Sequence, residues 1–237
     1  MRELDFAKGE VLLVDKDIDW TSFDVVKSIR GSLRKKYNIK RFKVGHAGTL
    51  DPLATGLLLV CTGKATKTID GLQAQDKVYT GSIFLGGTTP SFDRETEIDK
   101  EYPTDHITDE LIYEAAKAFE GEIEQVPPIY SALKINGKRA YQYARNDEEV
   151  VMKSRKITIN HFKITKIELP EVFFEVKCSK GTYIRSLARD FGLELNSGGY
   201  LSSLRRTMIG NYSVEDSLKV DQIKGIIDAF EPIISND

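Results

Sequence analysis

Apolar residues recur along the chain in two periods, one matching strands and one matching helices. Val11-Leu12-Leu13-Val14 predicts a short buried strand. Thr21 with Asp24 has the form of a capping box, and Val25, Val26, Ile29 and Leu33 follow at helical spacing. Leu57 to Cys61 reads as an apolar strand, and Thr66 to Leu72 as the start of a short helix. Asp76 to Gly86 alternates like a strand that Gly86-Gly87 ends. Thr108 opens a helix with Leu111, Ile112, Ala115, Ala116 and Phe119 on one face. Ile157 to Ile167 and Val172 to Cys178 predict two strands joined around Pro170. Gly181-Thr182 then starts a helix with Ile184, Leu187, Ala188 and Phe191 inward. Gly198-Gly199-Tyr200 reads as a turn and Leu204 to Gly210 as a strand. Ile223, Ile226, Ile227 and Phe230 form the apolar face of a last helix.

One stretch, Val44 to Val60, begins as a glycine-punctuated loop and ends as an apolar strand. Gly45 and Gly48 permit tight turns or close approach. Pro52 fixes its own φ and moves Asp51 out of the helical region. Asp51 is therefore a carboxylate on a stiffened loop with an apolar wall behind it. An Asx-type turn with Pro52 is the plainer reading of the same residues.

Composition adds limits. The 237 residues, 41% hydrophobic and 30% charged, suit a soluble globular chain with a sizeable core, in one large domain or two small ones. No apolar run approaches the roughly 20 residues of a membrane span, and the N-terminus has no signal region. Cys61 and Cys178 sit in strand-like runs and read as buried free thiols in a reducing cytoplasm, with a bridge as the alternative. The net charge of −2 hides an uneven distribution. Arg30, Arg34, Lys35, Lys36, Lys40, Arg41 and Lys43 lead into the Asp51 loop with Tyr37 and Phe42 interleaved. Such a run is either a solvated face or a phosphate-tracking edge. From Pro127 to Arg145 aromatics again alternate with cations, as in a surface that stacks bases or in a Pro-stiffened hairpin.

Several chemistries drop out. The acids Asp15, Asp17 and Asp19 have calcium-loop spacing, but Trp20 and Val26 stand where Gly and Glu are needed. Thr62-Gly63-Lys64-Ala65-Thr66 resembles a P-loop only superficially, with Leu58 and Ala65 at two obligatory positions. His46, His106 and His161 are scattered, so no metal is expected. No Gly-x-Ser-x-Gly elbow occurs. What remains is one well-presented aspartate, able to act as a nucleophile without a cofactor. To stay ionised in a partly apolar pocket it needs a cation beside it. Arg185, whose charge opposes the helix dipole in a first turn, is the candidate, with a surface arginine as the alternative.

The segment Gly45-His46-Ala47-Gly48-Thr49-Leu50-Asp51-Pro52-Leu53-Ala54-Thr55-Gly56-Leu57-Leu58 resembles the catalytic motif of the bacterial tRNA pseudouridine synthase B (TruB) family. Lys77-Val78-Tyr79, Pro127 to Lys134, Lys180 to Ala188 and Leu204-Arg205-Arg206-Thr207 support it in the family's order. The resemblance implies an α+β catalytic fold with a mixed, largely antiparallel sheet flanked by helices and a central cleft. It implies one catalytic domain over 1–237 with an RNA-clasping insertion at about 120–150; many members carry a C-terminal PUA domain, and with the sequence ending at Asp237 none is expected here. It implies isomerisation of uridine to pseudouridine at position 55 of the tRNA TΨC arm, with base flipping, no cofactor, no protein partner and a monomeric state. Asp51 would be the nucleophile, Tyr79 would stack on the uracil, Arg185 would pair with Asp51, and His46 would fill the gap in the RNA stack. Lys16, Asp93, Tyr183, Leu204 and Lys134 would be further substrate-binding residues. The family's Lys-Pro-x-Gly-x-Thr-Ser is here Lys16-Asp17-Ile18-Asp19-Trp20-Thr21-Ser22. A non-catalytic tRNA chaperone and an aspartate-dependent nucleoside or glycoside hydrolase are the rival readings.

Overall fold

The computed structural model describes residues 4–135, 137–146, 148 and 150–231, the side chain of Arg145 excepted. Asn136, Asp147, Glu149 and the Arg145 side chain, all within the sequence-predicted clasping segment, lie outside the described residues. The chain opens with β1 (Val11–Lys16), α1 (Ser22–Lys36), β2 (Val44–Ala47), β3 (Ala54–Thr62), a 3-10 turn (Gly63–Thr68) and α2 (Ile69–Ala74). β4 (Lys77–Leu85), β5 (Gly87–Thr88), β6 (Lys100–Glu101), α3 (Asp109–Ala118), β7 (Gly121–Gln125), β8 (Lys134–Ile135), β9 (Lys138–Arg139) and α4 (Ala140–Arg145) follow. The rest comprises β10 (Arg155–Glu168), β11 (Glu171–Cys178), α5 (Ile184–Glu194), β12 (Gly199–Ile209), β13 (Tyr212–Ser213), a 3-10 turn (Val214–Asp216) and α6 (Val220–Ala229). The fold is α+β with largely antiparallel strands, joined by parallel bridges at Val14–Leu218 and Asp93–Leu201. It divides into two compact units, Met1–Val78 with Arg205–Asp237, and Tyr79–Leu204.

In the first unit β3 is central. It pairs antiparallel with β1, Val11 opposite Cys61 and Lys16 opposite Gly56, and with β2, Val44 opposite Thr62. Successive side chains of a strand point to opposite faces. Leu58 and Val60 therefore meet Val25, Val26, Ile29 and Leu33 of α1 and Val220, Ile223 and Ile227 of α6. Leu57, Leu59 and Cys61 face the other way, onto Leu72, Ile209 and Val214. Burial on both faces explains why this strand reads as a continuous apolar run. Thr21 caps α1 as the sequence predicts, its side chain accepting from Asp24 N–H while the Asp24 carboxylate accepts from Thr21 N–H.

In the second unit β10 pairs antiparallel with β11 and with β7, and a cis Leu169–Pro170 bond turns the chain between β10 and β11. Phe119, Phe162, Phe174 and Phe191 pack ring against ring behind the sheet, with centroids 5.4–6.4 Å apart. Neither Cys61 nor Cys178 is in a disulfide, and both are buried.

Four local expectations change. Gly45 lies within β2 rather than in a loop, and a Cβ there would meet Ile69 Cδ1 at 2.8 Å, so its role is close approach. Gly199-Tyr200 begins β12 instead of turning, because a Cβ on Gly199 would meet Ala188 O at 2.7 Å and Gly192 Cα at 2.9 Å. The glycine pair thus lets α5 lie against a strand. Leu111 is 41% exposed, at the rim of the apolar stripe that Ile112, Ala115 and Ala116 bury. Ile226 is likewise half exposed while Ile223 and Ile227 are buried.

Candidate active site

The first unit presents Asp51 on the loop between β2 and β3. Gly48, at φ +94°, makes the turn that leaves β2. Leu50 is anchored twice to Ser22, whose Oγ accepts from Leu50 N–H at 2.8 Å and donates to Leu50 O at 3.2 Å. The Lys16 ammonium, on a fully buried side chain, donates to the carbonyls of Asp17 (2.9 Å), Trp20 (2.6 Å) and Pro52 (3.2 Å). Arg206, only 1% exposed, donates from Nε to Leu57 O (2.7 Å), from Nη2 to Gly48 O (3.0 Å) and from Nη1 to Thr49 O (3.5 Å). Burial pulls Lys16 down to about 8, against the attraction of Asp51, Asp17 and Asp19 and with a small push from Arg206. His46 is also held below the usual histidine range, by burial and then by the Arg206 charge. Its Nδ1 is buried and meets no hydrogen-bond partner among the described residues.

The second unit holds Arg185 in the first turn of α5. Gln125, itself buried, fixes that helix start: its side-chain amide accepts from Tyr183 N–H at 2.8 Å and donates to Tyr183 O at 3.0 Å. Ser186 Oγ donates to Val126 O at 2.8 Å, and the Arg155 guanidinium lies 4.6 Å over the Tyr183 ring. Arg185 is 4% exposed, which rules out the surface-arginine reading. Its Nη1 donates to Ser91 O (3.1 Å), its Nη2 to Tyr130 O (2.8 Å), and its Nε lies 3.5 Å from Asp93 Oδ2. Asp93 Oδ1 in turn accepts from Ser91 Oγ at 2.6 Å and from Glu95 N–H at 2.9 Å. Phe92, between them, sits at φ +63°, a conformation that side chains of its size rarely adopt and that clusters at functional sites. The guanidinium is thereby locked in one orientation.

Asp51, His46 and Lys16 thus come together in one unit, and Asp93, Tyr183 and Arg185 in the other. Tyr79 is buried on β4, Leu204 is partly buried on β12, and Lys134 is exposed on β8. The Pro127–Arg145 segment folds as the β8–β9 hairpin and α4, with Tyr143 OH donating to Ile135 O at 3.1 Å and Lys138 4.5 Å over the Tyr143 ring. Arg206 and Gln125 were missed from sequence. Two adjacent cations on a strand gave only a faint hint of the first, and a lone glutamine gave none of the second.

A family model described as TruB family pseudouridylate synthase (N terminal domain) matches residues 34–184, including the Asp51 loop, Tyr79 and Asp93. That places the chain in the class of pseudouridine synthases, which are isomerases. A tRNA pseudouridine synthase B of Flavobacterium johnsoniae is 55% identical over 217 residues, covering 91% of this chain and 95% of the relative. One from Phocaeicola vulgatus is 51% identical over 228 residues, covering 96% and 97%. The chain belongs to the TruB family. Among solved structures, a Cbf5-Nop10-Gar1 complex matches with a TM-score of 0.69 and 30% identity over 95% of this chain, which spans 58% of that chain's length.

Proposed function

We propose that the protein converts uridine to pseudouridine in tRNA, at position 55 of the TΨC arm, with Asp51 as the nucleophile. The observation that carries this is the Asp51 loop: a carboxylate on a backbone fixed by Ser22, Lys16 and Arg206. A nucleophile gains most when its position is settled before the substrate arrives. The N1–C1′ bond breaks, the uracil turns, and C5 joins C1′; the proton on C5 leaves and N1 takes one up. The composition of the nucleotide is unchanged, so the isomerisation calls for no cofactor. Tyr79 stacks on the turned-out uracil, and Arg185, oriented by Asp93, is assigned as the cation for the reacting carboxylate. A base inside a helix must leave its stack to be reached, and His46 fills the gap. Its neutral, partly buried ring suits stacking more than ion pairing. The basic approach, with Arg41, Lys43, Lys64 and Lys67 lining one recess of about 400 Å³, tracks the phosphates.

An unmodified tRNA transcript incubated with the protein acquires pseudouridine at position 55, read by base-resolved mapping. Asp51→Asn abolishes product while keeping tRNA affinity. Full activity in that variant ends the assignment, binding without product in the wild type favours the chaperone reading, and released base or sugar favours the hydrolase reading.

A further inference from the structure

We infer that Lys16 and Arg206 are positioning residues for Asp51: two buried cations that fasten opposite ends of its loop through backbone carbonyls. The inference rests on the role proposed for Asp51. Burying one cation is costly, and burying two in one unit more so, unless every donor finds an acceptor. Here the acceptors are the loop itself. Arg206 holds Gly48 O and Thr49 O before Asp51, and Lys16 holds Pro52 O just after it. The Lys16 ammonium has three protons and meets three carbonyls, so none is left over for RNA. Pro52 O also accepts from Asp19 N–H at 2.9 Å, so Lys16 adds a second donor there, while the Arg206 guanidinium reaches Gly48 O and Thr49 O. Neutral donors could satisfy them equally well. Cations add a positive field beneath the carboxylate, and Lys16 and Asp51 attract each other. Gly56 completes the arrangement: at φ +99°, a Cβ there would lie 2.3 Å from Arg206 O, so only glycine lets Arg206 stand this close.

The groups facing Lys16 are the Asp17, Trp20 and Pro52 carbonyls, the carboxylates of Asp51, Asp17 and Asp19, and the Arg206 guanidinium. Burial outweighs the three acids, so Lys16 loses its proton near pH 8. Loss of that proton removes both the charge and a donor to the loop.

The test uses the full chain, an unmodified tRNA transcript, single-turnover rates and separately measured tRNA affinity from pH 6 to 9.5. Arg206→Lys keeps the charge but cannot span its carbonyls, and slows the reaction about 100-fold with affinity unchanged. Lys16→Met is slow at pH 7, and the wild type falls toward the Lys16→Met rate as pH rises past 8. Arg206→Lys reacting at the wild-type rate, affinity falling in step with rate, or an alkaline decline shared by Lys16→Met overturns the inference. Should Arg206→Lys fail to fold, the Lys16→Met pH profile decides alone. Should the wild type form no pseudouridine, the proposed function fails separately. Deuterium exchange of the amides of Gly48, Thr49, Leu50, Asp51, Leu53 and Ala54 then decides: faster exchange in Lys16→Met supports the clamp, and unchanged exchange overturns it.

Discussion

A lysine with no exposed surface is the most informative single residue in the chain. In the unfolded state Lys16 titrates near 10.5, in the fold near 8. Between these values the unfolded chain binds the extra proton, so this residue favours folding more as pH rises through that window, by roughly 3 kcal/mol at most. Urea unfolding of wild type and Lys16→Met at pH 7 and pH 10 is expected to show the difference moving in favour of the wild type at pH 10. A shift in the other direction refutes the burial of a charged Lys16. Gly56→Ala meets both a left-handed backbone and the Arg206 carbonyl, and is expected to cost several kcal/mol, of order 2–4, in the same assay. From sequence, Asp51 stood out because glycine and proline frame it. Lys16 entered only through the family resemblance, as a substrate-binding residue, and Arg206 only inside a matched motif, because residue type alone places lysine and arginine on the surface. Only the third dimension shows which loop carbonyls these two cations reach.

Among the elements, α5 shows how a helix start is aimed. The Tyr183 backbone has no side-chain cap of its own, and Gln125 on β7 serves both its N–H and its C=O. Gln125→Leu keeps the volume and leaves both groups without a partner, a loss of roughly 1–3 kcal/mol each. Lower unfolding free energy and a slower pseudouridine rate are expected together, since Arg185 follows two residues later. Helices and strands were legible wherever periodicity was sustained: β3, α1, β10, β11 and α5 match the apolar pattern closely. The Gly198-Gly199 pair misled because a glycine that frees a turn and one that admits a neighbouring backbone look alike in sequence. The P-loop lookalike folds instead as a 3-10 turn, Gly63–Thr68.

Across the whole molecule, a net charge near zero conceals local concentration of cations. Part of the basic run is already engaged: Arg30 donates to Val44 O at 3.0 Å and Lys36 to Asp228 O at 2.8 Å. The recess lined by Arg41, Lys43, Lys64 and Lys67 concentrates four others. Binding through phosphates makes affinity fall with salt, so charge reversal at Lys64 and Lys67 is expected to weaken tRNA binding and flatten its dependence on salt. Filter binding between 50 and 200 mM salt checks it, and an unchanged slope would place the RNA elsewhere. Lys134 and Arg139 are exposed on their hairpin, so trypsin cleavage there should slow when tRNA is bound if this segment clasps the RNA.

The two buried cysteines divide neatly, Cys61 in one compact unit and Cys178 in the other. Each thiol can react with a bulky disulfide reagent only when its own surroundings breathe open. Mass-resolved labelling, followed over hours, would therefore time the opening of each half independently, with no probe engineered into the chain.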